Sequence, residues 1–136
     1  MKRITPDNIQ ELKENEIFVF GSNLSGIHGK GAARLACDKF GAIWGKSEGL
    51  QGESYAIPTK DKTVLNTLKI EYIIEYVDKF INFAKENTNL IFLVTEIGCG
   101  YAGYNPKDIA PLFKECENLE NVYLPESFWE IIKEKI

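Results

Sequence analysis

Two segments of this chain follow one plan, and that plan leaves few folds open. "EIFVFG", residues 16–21, is an apolar run that breaks into "SNLSGIHGKG" and then into the helix-forming "AARLACDKF". "NLIFLVTEIG", residues 89–98, breaks into "CGYAGY" and then into "NPKDIAPLFKEC". A short, wholly apolar run between turn signals reads as a strand buried on both faces, the kind found in parallel sheets covered by helices. Strand, glycine loop and helix, twice over, argue for an α/β domain whose central sheet is mixed but largely parallel, with helices on both faces. In such sheets ligands bind beyond the carboxyl ends of the strands, and both glycine loops belong on that edge.

The remaining segments fill in the alternation. "TPDNIQELK" offers Thr5 as an N-cap and Pro6 at the first helical position, which predicts a short first helix. Lys30 to Phe40 reads as a helix ended near Gly41, and "SYAIPT" as a strand stopped by Pro58. From Lys69 to Glu86 the apolar residues Ile70, Ile73, Ile74, Val77, Phe80, Ile81 and Ala84 recur at helical spacing and predict a core-facing stripe. Asn105 followed by Pro106 is a helix start; "NVYLP" reads as a last strand and "ESFWEIIKEKI" as a last helix. The 136 residues suit a single domain over 1–136, and 44% apolar content suffices for a core.

Charge and cysteine usage narrow the partners. A formal net charge of −4 argues against a nucleic-acid backbone as the main partner but leaves room for a small anionic ligand at a local site. Cys37, Cys99 and Cys116 form no CxxC pair, which fits a reduced, cytoplasmic chain without structural zinc. "MKRITPDNIQ" lacks a signal-peptide run, no stretch is apolar enough to span a membrane, and the scattered aspartates Asp7, Asp38, Asp61, Asp78 and Asp108 imply no metal. No cofactor is implied either.

The two loops carry the chemistry. Gly21, Gly26, Gly29 and Gly31 punctuate the first, and a helix N-terminus follows, which together make a seat for phosphate. The loop matches neither GxxxxGK[ST] nor GxGxxG, and a connection that merely turns the chain is the plain alternative. The second loop, Glu96 to Pro106, repeats the logic with Gly98, Gly100 and Gly103, and Tyr101 or Tyr104 either covers a sugar or packs on the loop. Two such loops on one edge suit a diphosphate between two nucleoside-like groups.

These residues resemble a macro domain, the module that binds ADP-ribose, over most of the chain. The resemblance lies in "FVFGSNLSGIHGKGAARLACDKFGA", in "SYAIPTK" and in "LVTEIGCGYAGYNPKDIAPLF"; the wording "IGCG" and "GKGAA" is closest to the branch of the terminal ADP-ribose glutamate hydrolase. It implies a three-layer α/β/α fold with ADP-ribose across the strand ends. The diphosphate would lie between Gly29, Lys30, Gly31 and Ala32 on one side and Gly98, Cys99, Gly100, Tyr101, Ala102 and Gly103 on the other. Gly21, Ser22 and Asn23 would close the first strand, with Asn23 facing the distal ribose beside Tyr101 or Tyr104, and the adenine would lie near the first strand. Lys60 stands at or next to the catalytic lysine of the glutamate-hydrolase branch, but the aspartate two residues after "GCG" reads Ala102. The first-helix aspartate of the mono-ADP-ribosyl hydrolases is replaced by Ala32 and Ala33.

Single residues stay open between two roles. His28 reads as an acid–base group near neutral pH or as a solvent-facing loop histidine; with Asn23 it is the candidate for ADP-ribose-1″-phosphate phosphatase chemistry. Cys99 reads as a nucleophile activated by a helix N-terminus and paired with His28, or as a small residue filling a tight spot. Lys30 pairs with phosphate or is plain surface. Cys37 and Cys116 read as core or helix-face residues, Trp44 and Trp129 as packing. Two function classes follow: an enzyme removing a phosphate or ADP-ribosyl group at the distal ribose, or a non-catalytic module that binds ADP-ribose-type ligands.

Overall fold

In the computed structural model, which describes residues 3–100 and 102–133, strands and helices alternate along the chain. They are β1 (Glu16–Asn23), α1 (Gly31–Lys39), β2 (Gly49–Gln51), β3 (Ser54–Lys60), α2 (Ile70–Glu86), β4 (Ile91–Val94), α3 (Pro106–Ile109), β5 (Val122–Tyr123) and α4 (Glu126–Lys133). The sheet runs in the order β2-β3-β1-β4-β5. β3, β1, β4 and β5 are mutually parallel, and only β2 is antiparallel, on β3. The chain is therefore an α/β protein with a mixed five-stranded sheet and, among the described residues, four α-helices. None of those helices is long and apolar enough to cross a membrane.

The period of two in β1 divides the core. Phe18 and Phe20 join a cluster with Ala33 and Ala36 of α1 and Phe40 just after it. Ile17 and Val19 join a larger cluster with residues of α2, α4 and the segment after α3. In α2, Ile73, Val77, Phe80, Ile81 and Ala84 are buried, as their spacing requires. Phe80 sits at the centre of an aromatic group, edge-on to Tyr55 at 5.2 Å and to Phe92 at 5.4 Å between ring centroids. Ile74 departs from the expected stripe and stays exposed at its border.

Four local expectations are met differently or only in part. No helix forms at Thr5 and Pro6. Instead Ile4 bridges Leu124 next to β5, Thr5 N–H donates to the Leu124 carbonyl at 2.9 Å, and the Trp129 indole donates to the Arg3 carbonyl at 2.7 Å. Those bonds satisfy this backbone in an extended form, so the cap signal has nothing left to offer. Pro58 does not end β3, which continues to Lys60. Pairing with β2 stops at Gly49 and Ala56, so the alternating ladder leaves the side where the N–H of residue 58 would point without a partner strand. The helix opened by Asn105 and Pro106 is α-helical for one turn, with Asp108 accepting the Asn105 N–H at 3.0 Å, and then tightens to a 3-10 helix over Ala110–Asn118. Pro111 explains the change, because it has no N–H and its ring crowds the preceding turn. Trp129 is buried, as a packing residue should be, whereas Trp44 is mostly exposed.

Candidate functional site

β1, β3 and β4 end at one edge of the sheet, and a cleft of about 590 Å³ opens there. Its floor is where the two glycine loops meet: a Cβ built on Gly21 would lie 3.5 Å from the Gly98 amide nitrogen. Threonines at the ends of the flanking strands tie the floor to β1. The Thr95 hydroxyl donates to the Val19 carbonyl at 2.7 Å, and the Thr59 hydroxyl to the Ser22 carbonyl at 3.2 Å. Gly98 is at φ +75°, and a side chain there would press to 3.1 Å from Ile109 Cδ1.

One wall is the start of α1. Lys30, Ala32 and Ala33 line the cleft. Lys30 is the N-cap residue and makes no side-chain cap, and no acidic residue stands in the first turn. The helix therefore presents its positive end and its first N–H groups with no carboxylate of its own to neutralise them.

Of the residues the sequence singled out, Gly21, Ser22, Asn23, Gly29 and Lys30 line this cleft from the first loop, with Ala32. Lys60, Gly98, Gly100 and Ala102 line it from β3 and the second loop. Gly31, His28, Cys99, Gly103 and Tyr104 are not among its lining residues, and Tyr101 lies outside the described residues. Tyr104 takes the packing alternative: its hydroxyl donates to the Leu68 carbonyl at 2.7 Å and its ring lies against the larger core cluster.

Asn23 is buried, and its amide holds the first loop. Oδ1 accepts the N–H groups of Ser25 (3.2 Å) and Ile27 (2.9 Å), and Nδ2 donates to the Ile27 carbonyl at 2.8 Å. That leaves one amide proton for a ligand. Gly26 turns the same loop for a reason unrelated to any ligand: it packs on the backbone of Gly45 and Lys46, and the Gly45 N–H donates to its carbonyl at 2.8 Å.

His28 is not a solvent-facing residue. It is 1% exposed, its Nε2 donates to the Ile43 carbonyl at 2.9 Å, and its ring stands edge-on to Phe20 at 5.4 Å. Nδ1 is buried without a hydrogen-bond partner. An acid–base group has to reach the reacting atoms, and this enclosed ring supports the first loop instead.

Cys99 also departs from its nucleophilic reading. Burial, with the nearby charges of Glu96 and Asp108, pushes its thiol up to about 11. At pH 7.5 Cys99 is therefore a thiol, and a Cys37→Ser protein should be alkylated by iodoacetamide at Cys99 about a hundredfold more slowly than an ordinary cysteine. The rate should climb until pH approaches 11. A plateau below pH 9 would show that Cys99 is activated after all.

Sequence reasoning missed Ile27, Thr59, Val64 and Leu65, and Thr95, Glu96 and Ile97, all of which line the cleft, and Ala33, named there only for the acid it lacks, lines it as well. The rule that ligands sit beyond strand ends was signal enough for Thr59 and Thr95. A second cleft of about 310 Å³ adjoins the first and shares Thr95 and Glu96 with it. Thr5, Asp7, Phe18 and Glu126 help to line it, and the buried Thr5 hydroxyl has no hydrogen-bond partner. Glu96, between the two clefts, accepts a hydrogen bond from the Ser127 hydroxyl. No protein-family model, curated protein or solved structure matches the chain, so the site is read from its own geometry.

Proposed function

We propose that the chain is a macro-like domain that binds ADP-ribose or a closely related NAD-derived nucleotide along the two adjoining clefts. The observation that carries this reading is the uncapped start of α1 beside a floor of bare glycine backbone, which suits a diphosphate. The second cleft supports a place for the base. It has Phe18 of β1 for an apolar contact, and Asp7 and Glu126 to accept from an exocyclic amine. The distal ribose then falls near Asn23 and Lys60, beyond the first loop. The two core clusters divided by β1 favour the three-layer α/β/α arrangement of that family.

Binding without turnover is the function this geometry supports best. His28 is enclosed, Cys99 is held as a thiol, the Asn23 amide is engaged with the loop, and Ala32, Ala33 and Ala102 supply no acid. Removal of a phosphate or an ADP-ribosyl group at the distal ribose is the second reading, favoured only by Lys60 on the cleft wall. Calorimetric titration tests the first. ADP-ribose should bind with Kd on the order of micromolar and AMP at least about tenfold more weakly, since AMP lacks the second phosphate and second sugar; NAD serves as the third ligand. Absence of heat with ADP-ribose would overturn the proposal and leave the fold untouched.

A further inference from the structure

The turn between β3 and α2 holds an apolar side chain out over one end of the cleft. Its backbone is closely specified. Asp61 N–H donates to the Asn66 carbonyl at 2.9 Å, Val64 N–H to the Asp61 carbonyl at 3.1 Å, and the Asp61 carboxylate accepts the Thr63 hydroxyl at 2.6 Å. The turn is also strapped to both glycine loops. The Ser25 hydroxyl donates to the Lys62 carbonyl at 2.5 Å, and the Thr67 hydroxyl to the Ala102 carbonyl.

Within this frame Val64 stands at φ +67°, a conformation that a β-branched residue rarely adopts. Such strain persists only where the surrounding bonds over-determine it. What it achieves here is the placement of Leu65, which is 83% exposed and yet lines the cleft, with Ile27 at 40% on the same rim. Leu65 is the most exposed of the large hydrophobic residues on the described surface. A single exposed leucine needs no explanation, but one held by a strained and doubly strapped turn over a cleft does.

The order of the sheet says which part of a ligand meets it. The second cleft joins the first at β4, β1 is central, and the turn follows β3 on the far side. With strands spaced about 4.8 Å apart, a ligand whose base lies beyond β4 and whose phosphates cross β1 brings its far sugar to the β3 turn after roughly 10 Å. We propose that Leu65 is the specificity-determining contact for the distal sugar of the bound nucleotide, covering its apolar face and so selecting ligands that extend past the diphosphate. This rests on the ADP-ribose reading above.

The test compares ADP-ribose and AMP on the unaltered protein and on Leu65→Ala. Leu65→Ala should weaken ADP-ribose about tenfold, the scale of an apolar contact of a few carbons, and leave AMP within about twofold. Its melting temperature should move by no more than about 2 °C, because Leu65 is 83% exposed in the free protein. Equal losses for both ligands, or no loss for either, would overturn the role of Leu65 while leaving the ADP-ribose reading intact. Failure of the unaltered protein to bind ADP-ribose would overturn both.

Discussion

Gly26→Ala should lower the melting temperature by roughly 10–20 °C and abolish the proposed ADP-ribose binding in what remains folded. A Cβ at this position would meet three backbone atoms: the Gly45 carbonyl carbon at 2.4 Å, the Lys46 nitrogen at 2.5 Å and Gly45 Cα at 2.8 Å. Backbone cannot rotate away as a flexible side chain can, so the whole segment from Ile43 to Lys46 has to shift. Gly26 is also at φ +68°, which adds strain for any residue with a side chain. Overpacking and strain together come to about 3–5 kcal/mol. The displaced segment carries the Ile43 carbonyl that holds His28, so the damage passes from the turn to the cleft wall at Gly29 and Lys30. Gly29→Ala is the matching control. Its Cβ would come no closer than 3.9 Å to the Ile27 side chain, so it should melt within about 2 °C of the unaltered protein. Thermal melts of the two variants decide the matter: equal melting temperatures would mean that Gly26 is a permissive turn residue and not a packing one.

The contrast between these glycines shows which parts of the chain were legible in its sequence. β1, β4 and α2 were, because for them the local pattern and the tertiary setting agree: an apolar run buried on two faces, an apolar stripe buried on one. The edge on which both loops lie followed from the strand–loop–helix order alone. The purpose of each glycine did not. Gly26 is required by Gly45, nineteen positions later in the chain (45 − 26), a contact no local pattern encodes. His28 is buried for a similar reason, since its ring is covered by the segment that carries Ile43 and Trp44. Thr5 and Pro6 read as a helix start until Leu124 provides a better partner for that backbone. Val64 and Leu65 belong to a stretch with neither glycine nor proline to mark a turn, and only the straps from Ser25 and Thr67 make their placement intelligible.

Asn23→Ala should lower the melting temperature by roughly 6–12 °C and weaken the proposed ADP-ribose binding by at least about thirtyfold. The side chain makes three hydrogen bonds to the loop that follows it, and its removal leaves two N–H groups and one carbonyl in a partly buried turn without their partner. Each such group costs about 1 kcal/mol when it remains within reach of water, so the loss is about 2–3 kcal/mol. The loop from Ser25 to Gly29 then has no fixed path, and it forms part of the cleft wall through Ile27 and Gly29. Asn23→Asp separates holding the loop from touching the ligand. The carboxylate still accepts from Ser25 and Ile27, and so restores part of the melting temperature. It can no longer donate to the Ile27 carbonyl or offer a proton to a ligand, and it brings negative charge to the edge where phosphates are expected. Binding should therefore stay as weak as in Asn23→Ala. A melting temperature unmoved by Asn23→Ala would assign the residue to the ligand alone; recovery of both properties in Asn23→Asp would assign it to the loop alone. Three of its four hydrogen-bonding positions hold the loop and one amide proton remains, so on the proposed ADP-ribose reading both properties should change in Asn23→Ala and only the melting temperature should recover in Asn23→Asp.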